Sequence, residues 1–328
     1  MPHQPPITRP FQQVDVFSAQ AYFGNALAVV LDGTGLSDEA MQRFAAWTNL
    51  SETTFILPPT PEAAAAGADY RVRIFTTAYE MPFAGHPTLG SCHAWLAHGG
   101  VPKDPARIVQ QCQVGLVPLQ RTGTRLAFAA PALQQRDAAE ALWQALPQAL
   151  GVEAWQLRGA QHLNNGPSHF GVLLDSVDTV LGLQPHFEKL QSLMAQAGFT
   201  GLGVAARCDA PAADTSAALI VRSNREARAF GARAAASAAA LGDADTADLE
   251  VRFFFSRGDG VAEDPITGSF NASLAQWLIA EGHAPTRFVA AQGSCIGRAG
   301  RVYLEQDAHG QVWVGGDSVT CLRGTVLL

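Results

Sequence analysis

Residues 84–91 read AGHPTLGS and residues 263–269 read EDPITGS, and each run follows an apolar strand-like segment (VRIF at 72–75 and VRFF at 251–254). With a one-residue gap the two copies align as strand, loop and X-Pro-x-x-Gly-Ser. His86 then occupies in the first copy the place that Asp264 occupies in the second. A chain that repeats one unit with a different polar group each time predicts two similar lobes facing one pocket.

A helix is predicted after each copy, because apolar residues recur at helical spacing and a glycine ends the run. The first run has Leu89, Cys92 and Leu96 before Gly99, and the second has Phe270, Leu274, Trp277 and Leu278 before Gly282. The first backbone amides of a helix lack partners within it and attract anions. Two such helices therefore predict a site that holds a small carboxylate.

The length of 328 residues exceeds the usual size of a single hydrophobic core and predicts two domains. We expect an N-terminal lobe over residues 1–128, joined by the C-terminal segment 312–328. A second lobe is expected over residues 129–311. Within it, Arg225–Asp248 is rich in alanine without an apolar stripe and indicates an inserted loop or marginal helix.

Composition excludes several classes of function. The net charge of −7, without a basic run, argues against a nucleic-acid partner. Only Lys103 and Lys189 are lysines, which disfavours a lysine-linked cofactor such as pyridoxal phosphate. The five cysteines form no C-x-x-C pair and no histidine–carboxylate spacing resembles a metal site, so no metal or disulfide framework is expected. Without a signal pattern or a long apolar run, the expected location is the cytoplasm, with no membrane partner.

Turn and periodicity signals predict the local structure around these motifs. Ser37 is a candidate cap for a helix that ends near Asn49. Gly201–Ala206 imitates a dinucleotide-binding fingerprint but lacks a βαβ frame, and we reject that function. The other segments that the structure tests are a loose tail at Met1–Pro10, strands at Ser51–Leu57, Gln113–Leu119 and Ala218–Arg222, and a loop at Pro58–Gly67.

Glu52 is a candidate acid or base. It opens the predicted strand that starts at Ser51, so on a half-buried strand it shares a face with Thr54 and Ile56. A partly desolvated carboxylate in such a place suits proton transfer. A single glutamate at a strand end is more often a solvated surface residue.

Several motifs resemble those of the PhzF-like family, which is named for an enzyme of phenazine biosynthesis. The matching blocks, spread over most of the chain, are DVF at 15–17, GNALAVV at 24–30, SET at 51–53, RIFT at 73–76, EMPFAGHPTLG at 80–90, EDPITGS at 263–269, QG at 292–293, GRAG at 297–300 and GG at 315–316. The departures are in scaffold positions, such as Ala26 where the family usually has proline.

The resemblance implies an α+β fold of the diaminopimelate-epimerase type, with two pseudo-symmetric lobes, each a curled mixed β-sheet around a central helix, and the active site in the cleft. It implies cofactor-independent proton transfer and a homodimer. It also implies the site residues: Glu52 is the acid/base carboxylate, His86, Asp264 and Ser269 line the pocket, and the backbones of Gly85 and Gly268 lie against the substrate.

Three functions remain open at the level of sequence. The first is an isomerase that moves a proton on a small carboxylate-bearing, unsaturated or cyclic substrate, with Glu52 as general acid/base. His86 and Asp264 are then catalytic residues that orient polar substituents and assist the proton transfer, and Ser269 hydrogen-bonds the substrate. The second is an epimerase or racemase of an amino or hydroxy acid, with acid and base on opposite faces of the substrate. The third is a protein that binds a small acid without turnover.

Overall fold

The computed structural model describes residues 7–208, 246–257 and 260–328. The chain divides into two compact units: Met1–Ala129 with Gly315–Leu328, and Ala130–Val314. We call them unit 1 and unit 2. The predicted strand at Ala218–Arg222 and most of the predicted insertion, residues 225–245, lie outside the described residues.

Unit 1 is a curled mixed sheet. Its strands are β1 (Thr8–Val16), β2 (Asn25–Val30), β3 (Thr53–Leu57), β4 (Tyr70–Phe75), β5 (Glu80–Met81), β6 (Arg107–Cys112), β7 (Gly115–Thr122), β8 (Arg125–Ala129) and, from the C-terminal segment, β18 (Ser318–Leu327). β1 pairs antiparallel with β18 and β2, β2 runs parallel to β3, and β3 pairs antiparallel with β4. β4 then pairs antiparallel with the short β5 and parallel with β6, which continues into the β6–β7–β8 meander.

The helices of unit 1 are α1 (Asp38–Thr48), α2 (Pro61–Ala65) and α3 (Gly85–Ala97). α3 is the central helix, since it contacts β1, β2, β3, β4, β8 and β18 and its first eight residues are all buried. Its close approach to the sheet depends on Gly90, where a Cβ atom would lie 2.6 Å from Leu27 and 2.8 Å from Val16. A side chain at position 90 would push the helix off its strands.

Unit 2 repeats this plan. Its strands are β9 (Gln134–Asp137), β10 (Leu157–Asn164), β11 (Ser168–Leu174), β12 (Gly201–Arg207), β13 (Leu249–Arg257), β14 (Gly260–Glu263), β15 (Arg287–Gln292), β16 (Gly300–Gln306) and β17 (Val312–Gly316), the last of which runs past the unit boundary. The hairpin β10–β11 is followed by parallel β12 and antiparallel β13. β13 pairs antiparallel with the short β14 and parallel with β15. This is the order seen in β1 to β6, as the duplication predicts.

The described residues of unit 2 contain the helices α4 (Glu140–Leu150), α5 (Val177–Gly182), α6 (Phe187–Ala197) and α7 (Gly268–Ala280), with short 3₁₀ turns at Ala154–Gln156 and Ser294–Ile296. α7 corresponds to α3: it has the same length, and nine of its residues, including Trp277, are buried. α4 and α6 pack on a second apolar cluster that includes Phe170, Leu202 and Phe254. Gly201 and Gly203 of the rejected fingerprint lie in β12, where Cβ atoms would meet the rings of Phe253 and Phe270 at 2.2 and 2.1 Å.

Some local predictions are confirmed and others are wrong. Ser37 caps α1 and Asn49 ends it in the left-handed conformation, as predicted. The loop predicted at Pro58–Gly67 contains α2, because Thr60 caps a helix that has proline at its first position and alanines after it. The tail predicted to reach Pro10 is already strand from Thr8, and the strand predicted at Gln113–Leu119 contains the turn between β6 and β7.

In the part of the chain that the structure describes, the helices are all too short or too polar to cross a membrane.

Candidate active site

The two helix starts correct the register of the repeat. α3 begins at Gly85 and α7 at Gly268, and in both units a strand glutamate lies five positions earlier (Glu80 and Glu263). The repeat is therefore E-x-P-x-x-G, with EMPFAG at 80–85 matching EDPITG at 263–268. His86 corresponds to Ser269, and Asp264 corresponds to Met81, so the alignment of His86 with Asp264 is wrong. That alignment used Pro87, whereas the proline that belongs to the repeat in unit 1 is Pro82.

A bidentate arginine–glutamate pair fixes this register in each unit. Arg73 of β4 donates from Nε and Nη2 to both carboxylate oxygens of Glu80, at 2.8 and 2.6 Å. Arg252 of β13 does the same to Glu263, at 3.0 and 2.8 Å. Such forked pairs fix geometry as well as charge, and here each ties a strand to the short strand before the helix.

Arg252 has a second set of contacts. Its Nη1 donates to the main-chain oxygens of Val180 and Leu183 at the end of α5, at 3.1 and 2.8 Å. The side chains of Arg252 and Glu263 are each 9% exposed. Because Glu263 directly precedes Asp264, this buried pair sets where the Asp264 loop leaves the sheet.

Glu52 lies in the connection between α1 and β3, one residue before the strand. The Oγ1 atoms of Thr48 and Thr53 are 2.8 Å apart and close this connection from both sides. The Thr54 hydroxyl accepts from the Ser91 hydroxyl of α3 at 2.9 Å, which ties the start of β3 to the central helix. The Glu52 side chain is 15% exposed, so it is partly shielded while still open to solvent. It precedes β3 rather than opening a strand at Ser51.

His86 meets Glu52 within unit 1. Its Nε2 atom lies 3.4 Å from Oε2 of Glu52, and its side chain is 8% exposed. Burial lowers the pKa of His86 to about 3, against the opposing effect of a hydrogen bond to the backbone of Ala26. The imidazole is therefore neutral in the physiological range. The hydrogen bond to Ala26 uses the other ring nitrogen, so the Nε2 atom that faces Glu52 carries no proton. The pair therefore places a neutral nitrogen base beside a carboxyl group.

The start of each central helix carries backbone amides but no side-chain cap. Ala84 precedes α3 and has no polar side chain, and the Thr267 side chain does not cap α7. Gly85 and His86 are the first two residues of α3, and Gly268 and Ser269 are the first two of α7. The N-terminus of a helix carries a partial positive charge, so these positions can bind a carboxylate.

Asp264 and Ser269 belong to unit 2 and lie on either side of Thr267 in the sequence. The Thr267 hydroxyl donates to Oδ2 of Asp264 at 2.5 Å. Asn165, in the turn between β10 and β11, donates from Nδ2 to the main-chain oxygen of Ser269 at 2.9 Å. Each unit thus presents a helix start flanked by a polar side chain: Glu52 in unit 1 and Asp264 in unit 2.

Gln292 supports the Asp264 loop and was not identified as a site residue from sequence. It is the last residue of β15, and its side chain is fully buried. Its amide contacts Thr267 twice, the main-chain oxygen of Asp264, and Asn271. The signal that could have found it is a glutamine that ends an apolar strand directly before a glycine.

Across residues 7–208, 246–257 and 260–328, no three His, Cys, Asp or Glu side chains are grouped so as to hold a metal ion.

Comparison with known proteins identifies the family. Residues 14–324 match the sequence model of the PhzC-PhzF family, described as phenazine biosynthesis-like protein. Antisense-enhancing sequence 1 of Schizosaccharomyces pombe is 32% identical, covering 96% of this chain and 97% of its own. The trans-2,3-dihydro-3-hydroxyanthranilate isomerase of Pseudomonas fluorescens is 29% identical, covering 96% and 98%.

Solved structures confirm the predicted α+β fold. The crystal structure of a phenazine biosynthesis protein of the PhzF family from Bacillus anthracis superposes with a TM-score of 0.76 at 22% identity, covering 98% of this chain and all of that one. Together with the match over residues 14–324, this makes the chain a member of the phenazine biosynthesis-like (PhzC-PhzF) protein family, in which relatives with named activities are isomerases.

Proposed function

We propose that the protein is a cofactor-independent isomerase that moves a proton on a small carboxylate-bearing, unsaturated or cyclic acid, with Glu52 as general acid/base. The observation that carries the proposal is the Glu52–His86 pair, 3.4 Å apart and largely buried in unit 1. The names of the relatives support the reaction class and suggest trans-2,3-dihydro-3-hydroxyanthranilate as the first substrate to try.

In the proposed reaction, Glu52 as a carboxylate takes a proton from a carbon that neighbouring unsaturation makes acidic. The electron pair moves along the conjugated system, and Glu52 as a carboxylic acid returns a proton to another carbon. Substrate and product have the same composition, so no redox partner is required. The neutral imidazole of His86 can accept a hydrogen bond from the acid form of Glu52, which holds the proton in place between the two transfers.

The remaining site residues are proposed to bind the substrate and to assist the proton transfer. Gly85 and Gly268 would offer backbone amides to the substrate, since each begins a central helix. Asp264 would orient polar substituents and assist the proton transfer, and Ser269 would hydrogen-bond the substrate. The Thr267 hydrogen bond supports the role of Asp264 by fixing its carboxylate. A homodimer is proposed from the family resemblance, and light scattering of the purified protein tests it. The cytoplasmic location expected from the sequence stays a proposal.

The test is NMR in D₂O of trans-2,3-dihydro-3-hydroxyanthranilate and a set of other small unsaturated and amino acids. Wild type is compared with Glu52→Gln, and Glu62→Gln on the exposed side of α2 is the matched control. General acid–base catalysis contributes about 10²–10⁴-fold, so Glu52→Gln should lose that factor while Glu62→Gln matches wild type.

The outcomes separate the three functions. Carbon-bound deuterium with a shifted double bond, absent in Glu52→Gln, supports the isomerase. If deuterium enters with inversion at one carbon, the protein is an epimerase and not the proposed isomerase. If line broadening reports binding and no deuterium enters at carbon, the protein binds the acid without turnover and is not the proposed isomerase.

A further inference from the structure

We propose that Gln292 and Thr267 are positioning residues for Asp264: the Gln292 amide orients the Thr267 hydroxyl, and that hydroxyl holds the Asp264 carboxylate. The inference rests on the proposed role of Asp264 in substrate binding. It does not extend to contact of Gln292 or Thr267 with the substrate.

The hydrogen bonds of Gln292 leave only one orientation for its amide. Nε2 donates to the main-chain oxygen of Asp264 and to Oγ1 of Thr267, both at 3.1 Å. Oε1 accepts from the main-chain N–H of Thr267 at 3.1 Å and from Nδ2 of Asn271 at 2.8 Å. A flipped amide would set its oxygen against the main-chain oxygen of Asp264 and its nitrogen against the main-chain N–H of Thr267, so these two backbone groups fix the orientation and commit both donors and the carbonyl oxygen.

This orientation decides what the Thr267 hydroxyl does. A hydroxyl has one proton, and its oxygen here accepts from Nε2 of Gln292. The proton is therefore directed to Oδ2 of Asp264, which lies 2.5 Å away. A hydrogen bond to a charged carboxylate is stronger than one between neutral groups, so this contact fixes the carboxylate in one rotamer.

Unit 1 has a glutamine in a similar place but no aspartate at the position of Asp264, so it serves as a comparison for the hydrogen bonds of Gln292. There, the strand that follows the central helix also carries a fully buried glutamine, Gln110 of β6, which donates to Thr88 of α3 at 3.0 Å. Thr88 and Asn271 hold the same position in their helices, since each is the fourth residue. Both glutamines thus contact the same helical position from the neighbouring strand.

The two glutamines differ by two positions in register. β4 pairs Tyr70 with Gln110, whereas β13 pairs Val251, two residues beyond the place of Tyr70 in the repeat, with Gln292. A shift of two keeps the side chain on the same face of the strand and moves it toward the helix start. In unit 1 the carbonyl of Gln110 accepts from the Tyr70 hydroxyl at 2.9 Å, and Met81 replaces Asp264. In unit 2, where Asp264 stands in place of Met81, the glutamine reaches the main chain of Asp264 and the Thr267 hydroxyl that holds its carboxylate.

Backbone hydrogen exchange tests the first link without any substrate. Gln292→Met keeps the length of the side chain and removes its four hydrogen bonds, and Gln110→Met removes an equally buried glutamine of unit 1. We expect the Thr267 amide to exchange at least about tenfold faster in Gln292→Met and unchanged in Gln110→Met, with β13 amides protected in both. An unchanged Thr267 amide in Gln292→Met overturns the proposal, as does an equal increase in both variants.

Kinetics test the second link on whichever acid the wild type turns over. Thr267→Val should lower kcat/KM roughly 10- to 100-fold, the range expected for a lost hydrogen bond to a charged group, and Thr267→Ser should stay within about threefold of wild type. Because Thr267 does not cap α7, the valine removes no helix cap.

The decisive comparison uses the Asp264→Ala background. If Thr267 acts through Asp264, Thr267→Val should cost less than about threefold there. A full additional loss in that background overturns the proposal, and so does a serine variant as impaired as the valine variant. If the wild type turns over none of the acids, the proposed function fails, and the exchange of the Thr267 amide still decides whether Gln292 holds the loop.

Discussion

The Oε2 atom of Glu52 and the Nε2 atom of His86 lie 3.4 Å apart, although Glu52 directly precedes a strand and His86 is the second residue of a helix. The contact joins a partly shielded carboxyl group to an imidazole that burial keeps neutral. A histidine in this state is a hydrogen-bond partner rather than a cation, and this distinction has a measurable consequence.

His86→Gln should lower the rate about 10- to 100-fold without changing the shape of the pH–rate profile between pH 5 and 9. The reason is that the His86 pKa of about 3 lies below this range, so His86 contributes no step to the wild-type profile. The check is kcat/KM across that range for both proteins. Loss of a step near pH 6–7 in the variant would show instead that His86 titrates where the enzyme works.

Arg252→Met should lower the free energy of unfolding by about 3–5 kcal/mol, because it leaves Glu263 and two carbonyl oxygens buried without their donor. Arg73→Met should cost less, since the Arg73 and Glu80 side chains are 15% and 18% exposed. Urea denaturation measures both, with Arg136→Met on the exposed strand β9 as control. Equal losses for the three variants would contradict the structural role of the buried pair.

Gly203→Ala should destabilise the protein by about 1–3 kcal/mol, since the new methyl group would lie 2.1 Å from the ring of Phe270 at the start of α7. Gly182→Ala is the matched control. It lies at the end of α5 with nothing within 4 Å of an added Cβ, and it should be neutral or slightly stabilising. Differential scanning calorimetry compares the two. A Tm for Gly203→Ala as high as that of Gly182→Ala would exclude the predicted clash.

His169→Gln should make the protein less sensitive to acid. Burial between Phe253 and Phe270 lowers the pKa of His169 to about 3, below its ordinary value of about 6.5. Between these values the unfolded chain binds a proton at this position that the native protein does not. Stability therefore falls as the pH drops from about 6.5 toward 3.

The measurement is urea denaturation of wild type and His169→Gln at pH 7.5 and 5. The variant should lose less free energy of unfolding between the two values, whereas His98→Gln, which replaces an exposed histidine, should behave as wild type. The same drop in all three proteins would contradict a buried neutral His169.

The sequence predicted the fold well where periodicity and caps act locally. α1 begins and ends at the capping residues chosen for it, and both central helices follow from apolar spacing that stops at glycine. The proline- and alanine-rich composition of residues 58–67 predicts a loop and does not reveal α2, although proline at the first helical position favours a helix. Composition alone also does not show that the Thr60 side chain caps α2.

The register of the repeat could not be found by counting residues. The connection from Phe75 to Glu80 is shorter than the one from Phe254 to Glu263, and strand pairing alone shows where the extra residues lie. The Arg73–Glu80 and Arg252–Glu263 pairs would have set the alignment, but their partners are revealed only by the fold. Gln292 was missed for the same reason: its contacts come from residues distant in sequence.

The packing of α3 at the centre of unit 1 also bears on how catalytic competence arises during folding. His86 reaches Glu52 only once α3 has docked against β2 and β3, because local sequence does not bring the two residues together. A collapsed intermediate with native helices but an undocked α3 would contain every proposed catalytic side chain and still lack the Glu52–His86 contact. Recovery of turnover after dilution from denaturant would then report a late tertiary event, later than the recovery of the circular dichroism signal.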